Sequence, residues 1–295
     1  MFSPYWGERA VASKTIASSG NLIAASISTE LGARFTSQWY LGAPNAFGQV
    51  NQWAVSLETV WTDYQGRGVS VGIIDEGFDL THPDLIDRFN LPLSYDPRDL
   101  STLISILPDN ETSRHGTWVA GVLGAHRADG GGMVGVAPGA DLAGLYMRFG
   151  ADGATQLEVA DLLRHAKALD VVNMSWGYAE SFGDNFDLPW FSEMGEAIDD
   201  ALATSRGGLG TVFVAAAGND RQYAPASAAL DGDNTNAHNL SNHRGIITVA
   251  ASDASGAIAP FSTPGASVFI TAPGTQIQTT NTGTLGAISR CRFCM

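Results

Sequence analysis

The chain has 295 residues, 44% of them hydrophobic and 16% charged, which suits a large core and excludes a disordered polypeptide. A formal net charge of -14, with an isoelectric point near 4.6, repels phosphate backbones and anionic bilayers, so no nucleic acid or membrane partner is expected. Cys291 and Cys294 both fall in the last five residues, so no disulfide framework supports the body and stability is expected from burial.

The opening MFSPYWGERAVASK lacks a basic region followed by an apolar core, so no signal peptide is expected. No apolar run approaches the roughly 18 residues of a membrane span. Residues 1–34 are rich in Ser and Ala and are expected to form a flexible leader or a pro-segment remnant. From Phe35 the texture changes. The run GVSVGIID (68–75) predicts a buried parallel strand, and HGTWVAGVLGAH (115–126) a helix of small residues.

Further strands are predicted over 142–146, 170–176, 211–217, 246–251 and 268–272. Between them, residues 154–168 are amphipathic at helical spacing and about 190–205 form another helix. Strands alternating with helices predict an α/β layer fold with a mostly parallel sheet, as one domain over 35–281. Residues 282–295 concentrate arginine and cysteine and stand apart as an aberrant tail.

In such sheets chemistry collects beyond the carboxyl ends of the strands. Asp75, the run Asn173-Met174-Ser175 and Asn219 fall there, and His115 opens a helix. Taken singly, each also reads as a turn or cap residue. A dinucleotide-binding turn is absent, because Asp75-Glu76-Gly77 follows the first strand, and no HExxH metal motif is present.

Together these segments resemble the subtilase family of serine proteases, and within it the kexin-like branch. VGIIDEGFDLTHPDL (71–85) is similar to the family's aspartate block and RHGTWVAGVLGA (114–125) to its histidine block. VVNMSWG (171–177) resembles the substrate strand and VAAAGND (214–220) the oxyanion asparagine block, while FTSQWYL (35–41) and SRGGLGTVFVAAAGN (205–219) look kexin-like.

The resemblance implies a three-layer subtilisin-like fold and serine-type endopeptidase activity on peptide or protein substrates. It implies His115 as general base, Asp75 as its orienting carboxylate and Asn219 as oxyanion donor. Ser175, Trp176 and Gly177 would line the substrate groove. Asp84 and Asp129 would be calcium ligands, Asp129 on the glycine-rich loop HRADGGG. An extracellular monomer is expected.

Two features depart from the pattern. The serine block, roughly Gly-Thr-Ser-x-Ala-x-Pro, is expected beyond Ala272-Pro273-Gly274-Thr275, yet the chain reads TGTLGAISRCRFCM. Gly283-Thr284 is followed by Leu285, and Ser289 by Arg290 and Cys291. The nucleophilic serine is therefore expected to be absent, with the C-terminal part of the fold missing through a frameshift or a gene end. The polypeptide is then expected to be marginal or unfolded, since losing a core helix exceeds a typical margin of about 5–15 kcal/mol. The alternative is a non-catalytic subtilase-fold fragment or binding module. Secondly, kexin-like enzymes select basic residues through acidic groups. Here Glu180 lies near one such position, His238-Asn239-Leu240 offers none, and Thr263 and Pro264 stand where the kexin pattern has glutamate. A broader preference than dibasic is expected.

Overall fold

The computed structural model describes residues 35–45, 47–98, 106–108, 114–126, 132–149, 153–178, 180–221 and 232–280. The leader, the tail, Ser289, both cysteines and Asp129 lie outside the described residues.

The predicted strands assemble into one sheet: β1 (Ser70–Asp75), β2 (Asp141–Tyr146), β3 (Val171–Met174), β4 (Val212–Ala216), β5 (Ile246–Ser252) and β6 (Val268–Pro273). Their order is β2-β1-β3-β4-β5-β6, and every neighbouring pair is parallel. The order reverses beside β1: the chain steps outward to β2 and then returns to β3. That is the switch point at which α/β sheets bind ligands.

Helices cover both faces, giving three layers. Helix α1 (His115–Gly124) lies on one face, with Val119 and Ala120 packed among Ile73, Phe78, Leu85, Leu142 and Tyr146. Helices α2 (Gln156–His165) and α3 (Ser192–Thr204) cover the other. They bury Val159, Leu162, Leu163, Met194 and Ile198 in one core with Val172, Met174 and Phe213 of the sheet. Helix α2 starts sharply because Thr155 and Glu158 form a capping box, each side chain accepting a bond from the other's amide, at 3.3 and 2.7 Å. A short fourth helix, α4 (Asn239–Asn242), precedes β5. The segment from Phe35 to Trp61 is not leader-like: Phe35, Tyr40, Leu41 and Trp61 form a third core with Val134 and Ile277.

The differences from expectation lie at element ends. Helix α1 stops at Gly124 because Ala125 turns to an extended ψ of 129°. Strand β3 pairs through Met174, so Ser175–Gly177 run on beyond the ladder. Phe269 and Ile270 of the edge strand β6 are exposed. Among the described residues no helix is long and apolar enough to cross a membrane.

Candidate active site

Asp75 is the last residue of β1 and is fully buried. Its carbonyl accepts a bond from the Met147 amide at 2.9 Å, and its Oδ1 accepts one from the Glu76 amide at 2.8 Å. The strand end and the carboxylate are thus fixed independently. His115 is the first residue of α1, and the next amide, that of Gly116, donates to the Glu76 carbonyl at 2.9 Å. A Cβ at residue 116 would lie 2.5 Å from the Glu76 oxygen and 2.9 Å from the Gly77 oxygen, so glycine is needed for this close approach. Thr117 adds a second tie, its hydroxyl accepting the Asp79 amide at 2.9 Å and facing the Gly77 carbonyl at 3.3 Å.

These ties bring the His115 imidazole onto the carboxylate. Nδ1 lies 2.8 Å from Oδ1 and 2.9 Å from Oδ2 of Asp75. Nδ1 therefore carries the proton and donates it to Asp75, which selects the tautomer. Trp118 and Phe149 stand edge-on to the ring, with centroids 6.1 and 6.3 Å away. Burial alone would lower the imidazole pKa. The charge and hydrogen bond of Asp75, with the charge of Glu76, outweigh it, and the net shift is upward.

Asn219 follows β4 in a turn that Gly218 enters at φ +102°. The turn is braced by Thr263, whose amide donates to the Gly218 carbonyl and whose hydroxyl accepts the Asp220 amide, both at 3.0 Å. The Asn219 side-chain Nδ2 is buried and has no hydrogen-bond partner. A buried donor left unpaired costs about 1–3 kcal/mol, and a donor held ready for an absent acceptor fits that expense.

Ser175 and Trp176 are buried and Gly177 is exposed. The Ser175 hydroxyl accepts from Asn173 Nδ2 at 2.8 Å, so this side chain supports the strand end. Beyond these residues a cavity of about 280 Å³ opens between Trp176–Tyr178 and Ala216–Gly218. Asp184, Asp220, Asp233 and His238 complete its polar wall. The acidic residues of this wall are therefore not at the positions read from the sequence, which are Glu180, His238-Asn239-Leu240 and Thr263-Pro264. Glu180, the acidic residue singled out from the sequence, is exposed and is not among the lining residues. Asp184 comes from the connection after β3, and Asp220 and Asp233 from the one after β4, so no local sequence pattern links all three.

Asp84 is buried, and its Oδ2 accepts the Met133 amide at 2.9 Å. Its Oδ1 sits against Gly132, where any Cβ would overlap it. Among the described residues no group of three metal-ligating side chains occurs.

The family model described as "Subtilase family" matches residues 66–291, which is most of the chain. The chain belongs to the subtilase family. Neuroendocrine convertase 2 of Bos taurus is 30% identical over 64% of this subtilase, and endoprotease bli-4 of Caenorhabditis elegans 34% identical over 71%. Furin of Bos taurus is 32% identical over 63%. The matched stretch spans 30%, 22% and 22% of those three proteins, respectively.

Among solved structures, the serine protease of Aeromonas sobria superposes with a TM-score of 0.69 at 22% identity, covering 85% of this chain and 45% of that one. A protease from Pseudoalteromonas arctica gives 0.64 at 25% identity, covering 88% and 79%. The three-layer fold of this subtilase is thus subtilisin-like.

Proposed function

We propose that this subtilase supplies the base, the orienting carboxylate and the oxyanion donor of a serine endopeptidase, and that the attacking hydroxyl comes from outside residues 35–280. The observation that carries the proposal is the Asp75–His115 pair, with Nδ1 held between both carboxylate oxygens.

A serine hydroxyl is a weak nucleophile until a base takes its proton. As the oxygen attacks the peptide carbonyl, the proton passes to His115 Nε2, and Asp75 stabilises the imidazolium. The C=O electron pair moves onto the carbonyl oxygen, where the Asn219 Nδ2–H donates to it. Collapse breaks the C–N bond, and the imidazolium gives its proton to the leaving amine. Water, activated by the same imidazole, then releases the acyl group and regenerates the hydroxyl.

Substrate is a polypeptide laid along Ser175–Gly177, its side chain entering the cavity beside Asn219. Three carboxylates in that wall favour a cationic side chain over the broader preference read from the sequence. An extracellular monomer follows from the family resemblance.

Calcium would be structural, held by Asp84 and the adjoining loop that carries Asp129. The contact of Asp84 with Gly132, at the end of that loop, supports this. Adding EDTA should then lower the melting temperature, and calcium should restore it.

The test is labelling by a fluorophosphonate. A chain extended to include a Gly-Thr-Ser-x-Ala block is expected to label, and His115→Ala in that chain to abolish labelling. Labelling unchanged by His115→Ala would overturn the proposal, and no labelling of a folded, extended chain would favour a binding module.

A further inference from the structure

His238 lines the cavity beside Asn219, and its surroundings are unusual for a buried histidine. The residue is 7% exposed, and its Nε2 lies 2.9 Å from both oxygens of Asp233. Its Nδ1 faces Oδ1 of the fully buried Asp184 at 3.7 Å, too long for a hydrogen bond. Both of those atoms are buried without a partner. The other Asp184 oxygen is fixed by the Leu240 amide at 2.7 Å. Asp233 also accepts from the Ser181 hydroxyl, at 3.3 Å.

With Nε2–H donated to Asp233, a neutral imidazole presents the Nδ1 lone pair to the Asp184 carboxylate, which is repulsive. A second proton turns that repulsion into attraction. The pair Nδ1 and Oδ1 therefore has two states, one closed by a proton and one open to a ligand.

We propose that His238 is a specificity-determining residue of this subsite: protonated, it ties Asp184 to Asp233, and on losing its proton it releases Asp184 to an ammonium or guanidinium group of the substrate. This rests on the endopeptidase reading, which makes the cavity the site of the side chain before the scissile bond.

The titratable groups facing His238 around the cavity are Asp184, Asp220, Asp233 and Tyr178. Burial pulls the imidazole pKa down, but Asp184 and Asp233 outweigh it and hold it above its ordinary value. Burial, followed by Asp233, pushes the Asp220 carboxyl up. Burial raises the Tyr178 phenol to about 12, so it stays neutral throughout. Protonation of His238 cancels one negative charge of the carboxylate wall. Cation affinity should therefore rise with pH as His238 deprotonates.

p-Aminobenzamidine is a suitable probe, being an amidinium of constant charge whose binding needs no nucleophile. Its affinity for the full chain is expected to be about tenfold higher near pH 8.5 than near pH 5.5, the scale of one unit charge in a partly buried site. In His238→Gln, which keeps a hydrogen-bonding side chain, that slope should flatten. A slope that persists in the variant would assign it to the carboxylates and overturn the proposal, as would no binding or no slope in the parent chain.

A second measurement needs no variant. Calorimetry of probe binding in two buffers of different ionisation enthalpy should show proton release near the His238 midpoint, and zero release would contradict the proposal. Probe binding with the expected slope, but no fluorophosphonate labelling of the chain extended with the serine block, would count against the endopeptidase reading while leaving the cavity switch standing.

Discussion

The hydroxyl of Thr280 donates to the carbonyl of Thr117 at 2.7 Å, joining the end of the described chain to the helix turn that His115 opens. Thr279 bonds the next carbonyl, that of Trp118, so two successive threonines run along α1. They fit because residue 121 is glycine, and a Cβ there would overlap both hydroxyls. Gly121→Val should therefore displace residues 279 and 280 and cost about 1–3 kcal/mol, the range for overpacking a filled interior. Urea melts of parent and variant measure it. An unchanged midpoint would mean that Thr279 and Thr280 are not seated on α1.

Removing the charge but not the shape of Asp75 separates orientation from packing. Asp75→Asn, in a chain that carries the serine block, should lower kcat by about 10⁴, because the amide no longer selects the tautomer that places the proton on Nδ1. KM for a peptide substrate should stay near its parent value, since Asp75 is buried behind His115 and meets no substrate. Steady-state kinetics give both constants.

In a chain that carries the serine block, Asn219→Ala should lower kcat by about 10²–10³ and leave the fold intact. Its Nδ2 makes no hydrogen bond in the free protein, so deletion breaks none. The melting temperature should hold or rise, in contrast to most buried polar deletions. A marked fall in melting temperature together with normal turnover would assign Asn219 to the turn and not to the chemistry.

The upward shift of His115 has a definite sign for stability. A histidine whose folded-state pKa exceeds its unfolded value of about 6.5 stabilises the protein fully below that value. The contribution is lost as pH rises through the folded pKa. The parent chain should thus exceed His115→Gln in stability most clearly in mild acid, and the gap should narrow above neutrality. Denaturant melts between about pH 5 and pH 9 measure the gap. A gap that widens with pH would contradict the raised value. Turnover has the opposite slope, since the base acts when neutral.

Much of this was legible in the sequence because it is local. The run SVGIID ending in Asp75, and His115 opening a glycine-rich helix, announce a strand tip and a helix start by composition alone. The acidic wall was not legible. Asp184 follows β3, Asp220 follows β4, and Asp233 precedes α4, so they meet only once the parallel crossovers have formed. Thr263 stands, with Pro264, where the kexin-like pattern has glutamate. Its bonds to the Gly218 and Asp220 backbone show a brace for the Asn219 turn, a contact across 43 residues that spacing cannot reveal.

The measurement closest to the central claim is an NMR titration of the His115 ring in the parent chain and in Asp75→Asn. A buried imidazole held by a carboxylate should titrate above its ordinary value in the parent chain, and it should fall in the variant, where burial alone acts. Identical midpoints in the two chains would mean that His115 does not rest on Asp75, and the catalytic reading would fail with it.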